Sequence, residues 1–302
     1  MTAAARSAGT KRRGLPSYGM YMVIPVLSVT VLFYGVFLIF PIGYAFLGSL
    51  FEWNPIHSVF NFLFLENYRE AFEYSLTWTS LFNSIYFAVV VVAVRTFIGL
   101  VFAVLINNVV HLRSFFRTVY FLPVVTSMVA VSILWGTLLY NPAFGMFNQI
   151  LIALGLPPSE WIKSPYTAML SVMLMTIWKD TGYALVLYLA GLQGIPSQLI
   201  EAATIDGAGR MKIFTRITFP LLSSTTLLVA VTGTISYLQA FTQIFIMTEG
   251  GPGTATYTMV YYLYHEAFRK FRFGYASAVS VILFVIILVF SLIQMKLTRR
   301  ED

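Results

Sequence analysis

The 302-residue chain is 58% hydrophobic and only 10% charged, and it has a net charge of +7. Soluble globular domains contain about 25% charged residues, so the composition excludes an ordinary soluble domain and indicates a membrane protein. The chain has no cysteine, which excludes disulfide bonds and thiol chemistry.

Long uncharged runs predict the spanning helices. A hydrocarbon core of about 30 Å requires roughly 20 apolar residues of helix, and the sequence has enough such runs for six spans. The predicted fold class is therefore all-α, a polytopic membrane protein with one transmembrane domain at residues 15–298 after an N-terminal tail at residues 1–14. In chain order the predicted spans are residues 21–49, 84–106, 119–140, 167–191, 218–244 and 274–295.

The basic residues predict the orientation of these spans. With the N-terminus in the cytoplasm, twelve lysines and arginines lie inside, and Arg69, Lys163, Arg269, Lys270 and Arg272 lie outside. This balance follows the positive-inside rule, although the last three form an outer cluster against it. We expect both termini in the cytoplasm, and the positive charge requires no nucleic-acid partner.

Two segments outside the spans are predicted to lie on the outer surface. Residues 50–83 contain the acidic stretch "ENYREAFEY", which predicts a surface helix, and residues 141–165 predict a short amphipathic helix. Trp53, Tyr68 and Trp161 fit an interfacial aromatic belt better than contacts with another protein.

Ionisable residues inside the spans are candidates for a translocation path. Arg95 lies in the second predicted span, and Lys179 and Asp180 lie in the fourth. Ionisable side chains at membrane depth face a cavity or a charged partner. Two interpretations therefore stand: the groups neutralise one another, with Arg95 and Asp180 as a hypothetical ion pair, or they line a substrate cavity.

The fifth predicted span carries polar side chains in the stretch "TISYLQAFTQIFIM". Tyr237, Gln239 and Gln243 offer an aromatic ring and amides, which suit the stacking and hydrogen bonding that sugars require. Hydrogen bonding between helices is the alternative role for each of them.

The loop at residues 195–220, "IPSQLIEAATIDGAGRMKIFTRITFP", is polar and basic and lies between two spans. Ser197 is predicted to be the N-cap of a short helix, and Gly207 and Gly209 predict its end. A second short helix is predicted before Pro220. An interfacial connector lying on the lipid headgroups is the alternative interpretation.

The sequence lacks the motifs of a membrane enzyme. No lysine follows a glycine-rich loop in the pattern G-x-x-x-x-G-K-[ST], so the chain has no P-loop with which to bind ATP. His57, His111 and His265 have no metal-ligand spacing, and no metal site is predicted. We therefore expect a protein that is not an enzyme.

Several segments of the chain carry a family resemblance. The residues Glu201-Ala202-Ala203, Asp206-Gly207-Ala208, Phe214, Ile217 and Pro220 resemble the EAA loop in permease subunits of binding-protein-dependent ABC importers. "FRTVYFLP", "AGLQGIP", "TEGGP", "YYLYHEAF" and "GYASA" resemble the carbohydrate branch, specifically its maltose-permease-like first subunit. The resemblance covers most of the chain and implies the type I ABC importer permease fold.

The resemblance also implies partners and a location. It implies a second permease subunit, two cytoplasmic ABC ATPase subunits and an extracytoplasmic solute-binding protein. The likeness to the first-subunit type favours a heterodimer and leaves a homodimer open. ATP and Mg²⁺ would bind to the ATPase subunits and no cofactor to this chain. The expected location is the bacterial inner membrane. The helix of the EAA loop would couple the chain to an ATPase subunit through Glu201, Ala202, Ala203, Asp206, Gly207 and Arg210.

The implied function is import of a sugar or oligosaccharide by alternating access. By resemblance Asp180 and Tyr183 lie in the sugar zone, and the full predicted path is Arg95, Lys179, Asp180, Tyr183, Tyr237, Gln239 and Gln243. Arg95 and Lys179 leave open an anionic sugar or a glycerol phosphate ester as substrate. A secondary transporter is a remote alternative, because it requires coupling carboxylates inside the spans. The residues do not identify the sugar.

Overall fold

The chain is mainly helical, and its helices determine where the polar residues lie. The computed structural model describes residues 17–107 and 113–298; the predicted tail at residues 1–14 and His111 lie outside these ranges. In chain order the helices are α1 (Ser17–Tyr34), α2 (Phe40–Gly48), α3 (Glu66–Glu73), α4 (Ser75–Asn107), α5 (Arg113–Val125), α6 (Met128–Leu134), α7 (Met146–Ala153), α8 (Ala168–Gln193), α9 (Ser197–Ile205), α10 (Arg210–Ile213), α11 (Phe219–Leu221), α12 (Ser223–Leu238), α13 (Thr242–Met247), α14 (Met259–Tyr264) and α15 (Phe273–Thr298).

Six segments have the length and composition to cross a bilayer within the described ranges, three of them only if a bent helix pair counts as one span. The straight candidates are Val23–Gly48, Ser75–Asn107 and Phe273–Lys296. The bent pairs are Ser114–Val125 with Met128–Leu139 at 90°, Ala168–Gln193 with Ser197–Ile205 at 69°, and Arg210–Leu221 with Ser223–Leu238 at 60°. The predicted span 119–140 is therefore bent in the structure, and the predicted span 218–244 is divided after α11 and again between α12 and α13.

Prolines explain several of these irregularities. A proline has no N–H to donate and its ring collides with the carbonyl group four residues earlier, so a helix widens, bends or ends there. Pro41 and Pro220 each follow a π-helical turn, at Gly35–Ile39 and Phe214–Thr218. Pro123 lies in the last turn of α5, just before the 90° bend into α6.

Three helices form the centre of the packing. The first half of α4 packs with the first half of α8, as in the contact of Phe87 with the cluster around Met173, and their second halves also pack together. Helices α4 and α8 are therefore parallel. Helix α12 runs in the opposite direction, because Val229 belongs to the cluster at the end of α8 and Tyr237 to the cluster at its beginning.

At the end of the bundle where α4 and α15 begin, a small β-hairpin and a polar cluster are found. Strands β1 (Phe51–Asn54) and β2 (Val59–Phe62) pair antiparallel. Glu266 is fully buried and forms ion pairs with Lys270 at 2.6 Å and Arg272 at 3.4 Å. Arg272 also pairs with Glu70 of α3. These ion pairs attach α3 and the turn after α14 to the start of α15.

The segment Val23–Gly48, formed by α1, the π-helical turn and α2, has little contact with the rest of the described chain. In the segment Val23–Gly48 the most apolar 18-residue window has no buried residue, and side chains such as Val31 and Phe37 are mostly exposed. Its contact with the bundle is near its end, where Gly48 lies beside Ser277 of α15. Such an apolar surface requires lipid or another protein chain around it.

Candidate functional site

The loop at residues 195–220 forms a short helix with a closed end. Helix α9 begins at Ser197 itself, and Pro196 with its extended backbone occupies the capping position predicted for Ser197. At the other end Gly207 has a φ of +76°, and the N–H groups of Gly207 and Ala208 donate to the carbonyl oxygens of Thr204 at 3.1 Å and Ala203 at 2.9 Å. This arrangement is a Schellman motif, in which glycine supplies the left-handed residue.

Helix α9 projects from the rest of the described chain. None of its residues is buried, and Ile205 and Met211 are 86% and 74% exposed. Glu201, Asp206 and Arg210 are exposed, and none of them forms an ion pair within the described ranges. Ile205 was not among the coupling residues predicted from the sequence. The feature that could have indicated it is an isoleucine at the end of a short helix in a polar loop.

The two alanines of α9 also lie where another surface can approach. Ala202 is exposed and Ala203 is half-buried. A helix with small side chains on its outer face allows a close approach of a second surface. The segment at residues 201–211, called the tip below, therefore combines small residues, two exposed apolar side chains and unpaired charges. Such a surface is suited to a protein partner.

A second group of polar residues lies inside the bundle, where α4, α8 and α12 meet. Arg95 donates from Nη1 to the Tyr237 hydroxyl at 3.0 Å and from Nη2 to the Val229 carbonyl oxygen at 3.0 Å. The Tyr237 hydroxyl donates to Oδ2 of Asp180 at 2.9 Å. The hypothetical direct ion pair between Arg95 and Asp180 is not found in the described residues, because the tyrosine hydroxyl lies between the two charges.

Lys179 supplies a hydrogen-bond donor to a backbone carbonyl group that the bend after α5 leaves without its helical partner. Its Nζ donates to the carbonyl oxygen of Val124 at 3.1 Å and lies 3.5 Å from Oδ1 of Asp180. The backbone leaves the helical conformation at Ser127, so carbonyl groups in the last turn of α5 lose their helical N–H partners. Lys179 supplies a donor to one of them.

The other predicted path residues have different positions. Tyr183 is 38% exposed, and its ring centroid lies 5.9 Å from the guanidinium carbon of Arg95. Gln239 is exposed in the break between α12 and α13, whereas Gln243 is buried. The structure thus brings Arg95, Tyr237, Asp180 and Lys179 together, and the two glutamines do not join their hydrogen bonds. Within the described ranges no group of histidine, aspartate or glutamate side chains could hold a metal ion.

Comparison with known proteins places the chain in a family. Residues 95–302 match the family model described as "Binding-protein-dependent transport system inner membrane component". The chain belongs to this permease family. It is 37% identical to the probable ABC transporter permease protein YurN of Bacillus subtilis, over 91% of this chain and 95% of that protein.

Two further comparisons agree with this assignment. The trehalose/maltose transport system permease protein MalF of Thermococcus litoralis is 34% identical over 94% of this chain and 95% of its own length. A permease chain in the crystal structure of a bacterial alginate ABC transporter, in complex with an alginate pentasaccharide-bound periplasmic protein, superposes with a TM-score of 0.81. That chain is 22% identical, with 94% of this chain and 96% of the other covered, which shows the shared fold.

The family membership confirms the main predictions from the sequence. The permease has the all-α fold of ABC importer permeases, as predicted. It is a multi-pass membrane protein and a transport component rather than an enzyme. Its relatives include permeases of sugar transport systems, such as the trehalose/maltose permease of Thermococcus litoralis.

Proposed function

We propose that this permease is one of two similar subunits, arranged as a heterodimer in the bacterial inner membrane, that enclose a path for a sugar or oligosaccharide. An extracytoplasmic solute-binding protein delivers the sugar, and two cytoplasmic ATPase subunits, which bind ATP and Mg²⁺, drive its import by alternating access. The observation that carries the proposal is α9, a short helix with no buried residue whose end is closed by its own hydrogen bonds.

Helix α9 has the properties of a coupling helix. ATP-driven movement of the ATPase subunits must be transmitted through a contact with the permease. In this proposal Ile205 and Met211 enter apolar parts of a cleft in the ATPase subunit, and the small residues Ala202 and Ala203 allow α9 to enter it deeply. Glu201 accepts a bidentate pair of hydrogen bonds from an arginine of the ATPase, which is the strongest type of charged hydrogen bond.

Arg95, Tyr237, Asp180 and Lys179 form the intramembrane cluster. In this proposal the sugar path runs along the open side of this cluster, which is the side where its polar groups are partly exposed. Asp180 and Tyr183 are the members that reach this side, since the Asp180 side chain is 19% exposed and Tyr183 is 38% exposed. A carboxylate accepts hydrogen bonds from sugar hydroxyls, and a tyrosine ring stacks on the apolar face of a pyranose. Gln239, which is also exposed, adds an amide to the same path.

An anionic sugar or a glycerol phosphate ester is the second candidate substrate class. The observation in its favour is the charge of the cluster, because Arg95 and Lys179 carry two positive charges against the one negative charge of Asp180. Both substrate classes use the same coupling through α9. They differ in which side chain contacts the substrate.

The experiment that tests the proposed function is ATP hydrolysis by the purified complex in lipid nanodiscs, with the solute-binding protein and a panel of neutral and acidic saccharides. We expect one class of saccharide to stimulate hydrolysis. Removing one partner of a buried ion pair costs about 3–5 kcal/mol. In the proposed complex Glu201 forms such a pair with an arginine of the ATPase subunit, so Glu201→Arg should abolish the stimulation while the permease stays folded.

Two matched variants make this test specific. Glu201→Gln keeps the shape of the side chain and should weaken the coupling less than Glu201→Arg. Glu160→Arg reverses the charge of an exposed carboxylate in the segment before α8, at the opposite end of that helix from α9, and should leave the ATPase subunits bound. Full stimulation in Glu201→Arg, or a purified complex that retains no ATPase subunit in the wild type, would refute the proposed function.

A further inference from the structure

We propose that Arg95 is a positioning residue that makes the permease select neutral rather than acidic saccharides. Arg95 acts through Tyr237, which it orients so that the tyrosine holds Asp180, and Asp180 is the group that contacts the sugar. This inference rests on the proposed function. It adds that the substrate is a neutral saccharide and that Arg95 is the residue responsible for this preference.

The directions of the hydrogen bonds in this relay are fixed by chemistry. A guanidinium group has donors only and an ionised carboxylate has acceptors only. Arg95 therefore donates to the Tyr237 oxygen, and the single hydroxyl proton of Tyr237 is left for Oδ2 of Asp180. A phenylalanine at position 237 would fill the same space without transmitting this constraint.

The two cations are not available to an anionic substrate. Arg95 is 4% exposed and Lys179 is 5% exposed. Nη1 and Nη2 of Arg95 already donate within the bundle, and Nζ of Lys179 donates to the Val124 carbonyl oxygen. The guanidinium group of Arg95 and the ammonium group of Lys179 therefore interact with Asp180 and its neighbours inside the bundle, and a substrate in the path does not contact them directly.

Asp180 presents the free acceptors. An ionised carboxylate offers about four acceptor positions, and Tyr237 and Lys179 use one on each oxygen. The remaining positions can accept the two hydroxyls of a sugar diol on the open side. An acidic saccharide would bring its own carboxylate to the same place, where the like charges repel each other.

Gly233 makes the position of Arg95 possible. A Cβ atom on Gly233 would lie 2.5 Å from Nη2 of Arg95 and 3.2 Å from the Val92 side chain. With glycine at this position the guanidinium has room to lie against α12 and reach the Val229 carbonyl oxygen. Gly233→Ala is therefore a variant that displaces Arg95 without changing its charge.

The test measures saccharide binding to the permease complex without the solute-binding protein, so that the binding protein cannot determine the selectivity. Saturation-transfer NMR on the detergent-solubilised complex would compare maltotriose with the trimer of galacturonic acid. The wild type should bind maltotriose at least about tenfold more tightly, because the carboxylates of the acidic trimer would lie against the carboxylate of Asp180 and be repelled by it. Arg95→Gln, Tyr237→Phe and Gly233→Ala should each weaken maltotriose binding about tenfold, the order of a charged hydrogen bond.

Two further variants separate positioning from a purely structural role. The double variant Arg95→Gln/Tyr237→Phe should bind maltotriose no more weakly than either single variant, because both break the same relay. Asp180→Asn should reduce the preference for the neutral trimer, because it removes the repulsion of the acidic one. A purely structural Arg95 would instead give losses that add and that leave the preference unchanged.

Three results would overturn the inference. In the first, the wild type binds the galacturonate trimer and Arg95→Gln abolishes that binding. In the second, Arg95→Gln and Tyr237→Phe bind maltotriose as the wild type does, and in the third the wild-type complex binds neither saccharide. Each leaves the proposed function intact if saccharides delivered by the binding protein still stimulate ATP hydrolysis. Loss of that stimulation in the wild type is the separate failure of the proposed function.

Discussion

Gly182 of α8 lies directly against the backbone carbonyl group of Tyr120 in α5, so closely that a Cβ atom at position 182 would overlap the carbonyl oxygen. Backbone atoms cannot rotate away as a long side chain can. This contact fixes how closely α5 approaches α8, two residues beyond Asp180.

Gly182→Ala should therefore destabilise the permease. Overpacking of a close contact typically costs about 1–3 kcal/mol, and we expect a lower midpoint of thermal unfolding in detergent. Gly43→Ala is the matched control, because a Cβ atom there meets nothing within 4 Å. An unchanged midpoint for Gly182→Ala would show that α5 moves away from α8 without loss of stability.

Gly207→Ala should reduce coupling while the bundle stays folded. Gly207 has a φ of +76°, and a left-handed backbone costs a residue with a side chain about 1–2 kcal/mol, so the end of α9 should change shape. Stimulated ATP hydrolysis should fall although the thermal midpoint stays the same. Gly209→Ala is the control, since Gly209 has a φ of −71° and also has free space around it; equal effects of the two variants would contradict the prediction.

Glu266→Gln should weaken the attachment of α15. The fully buried carboxylate of Glu266 forms ion pairs with Lys270 and Arg272, and loss of a charged hydrogen bond at a buried group costs about 1–3 kcal/mol. A lower thermal midpoint is expected. Glu73→Gln, which removes an exposed ion pair with Arg69, should change the midpoint little, and a similar loss in both variants would be evidence against a special role for the buried charge.

Stability should fall in mild acid because of His265. Burial, and then the positive charge of Lys270, lower the pKa of His265 below its ordinary value. The unfolded chain therefore takes up the proton at a higher pH than the folded chain, so this contribution to stability is present above about pH 6.5 and is lost as the pH falls below it. The thermal midpoint of His265→Gln should depend less on pH in this range, and an identical pH dependence would exclude His265 as the cause.

The sequence predicted the helices better than the bends. Charge-free runs identify spanning segments because the bilayer requires about 20 apolar residues in succession, and this requirement is visible in composition alone. The 90° bend after Pro123 was not predicted, because a proline can also be accommodated by a kinked but continuous helix. The strands at Phe51–Asn54 and Val59–Phe62 were missed, since their apolar residues lie beside a long apolar helix and no Asn-Gly or Asp-Gly turn separates them.

The candidate site was predictable as a set of residues but not as an arrangement. Arg95 and Asp180 are conspicuous in the sequence because ionisable residues are rare inside spans. The position of Tyr237 between them depends on the antiparallel packing of α12 on α4 and α8, which no local pattern specifies. The exposure of Ile205 also depends on the whole loop, because α9 contributes no residue to the core.

The closed end of α9 has a consequence for the contact with an ATPase subunit that we propose for this helix. Its last turn is completed by hydrogen bonds from Gly207 and Ala208 to carbonyl groups of the same helix, so its shape requires no contact with another chain. Association with an ATPase subunit then orders little backbone, and little conformational entropy is lost on binding. A tip whose shape exists before binding also moves as one piece when it is displaced, so a displacement of the partner reaches α8 and α12 instead of being absorbed by a flexible loop.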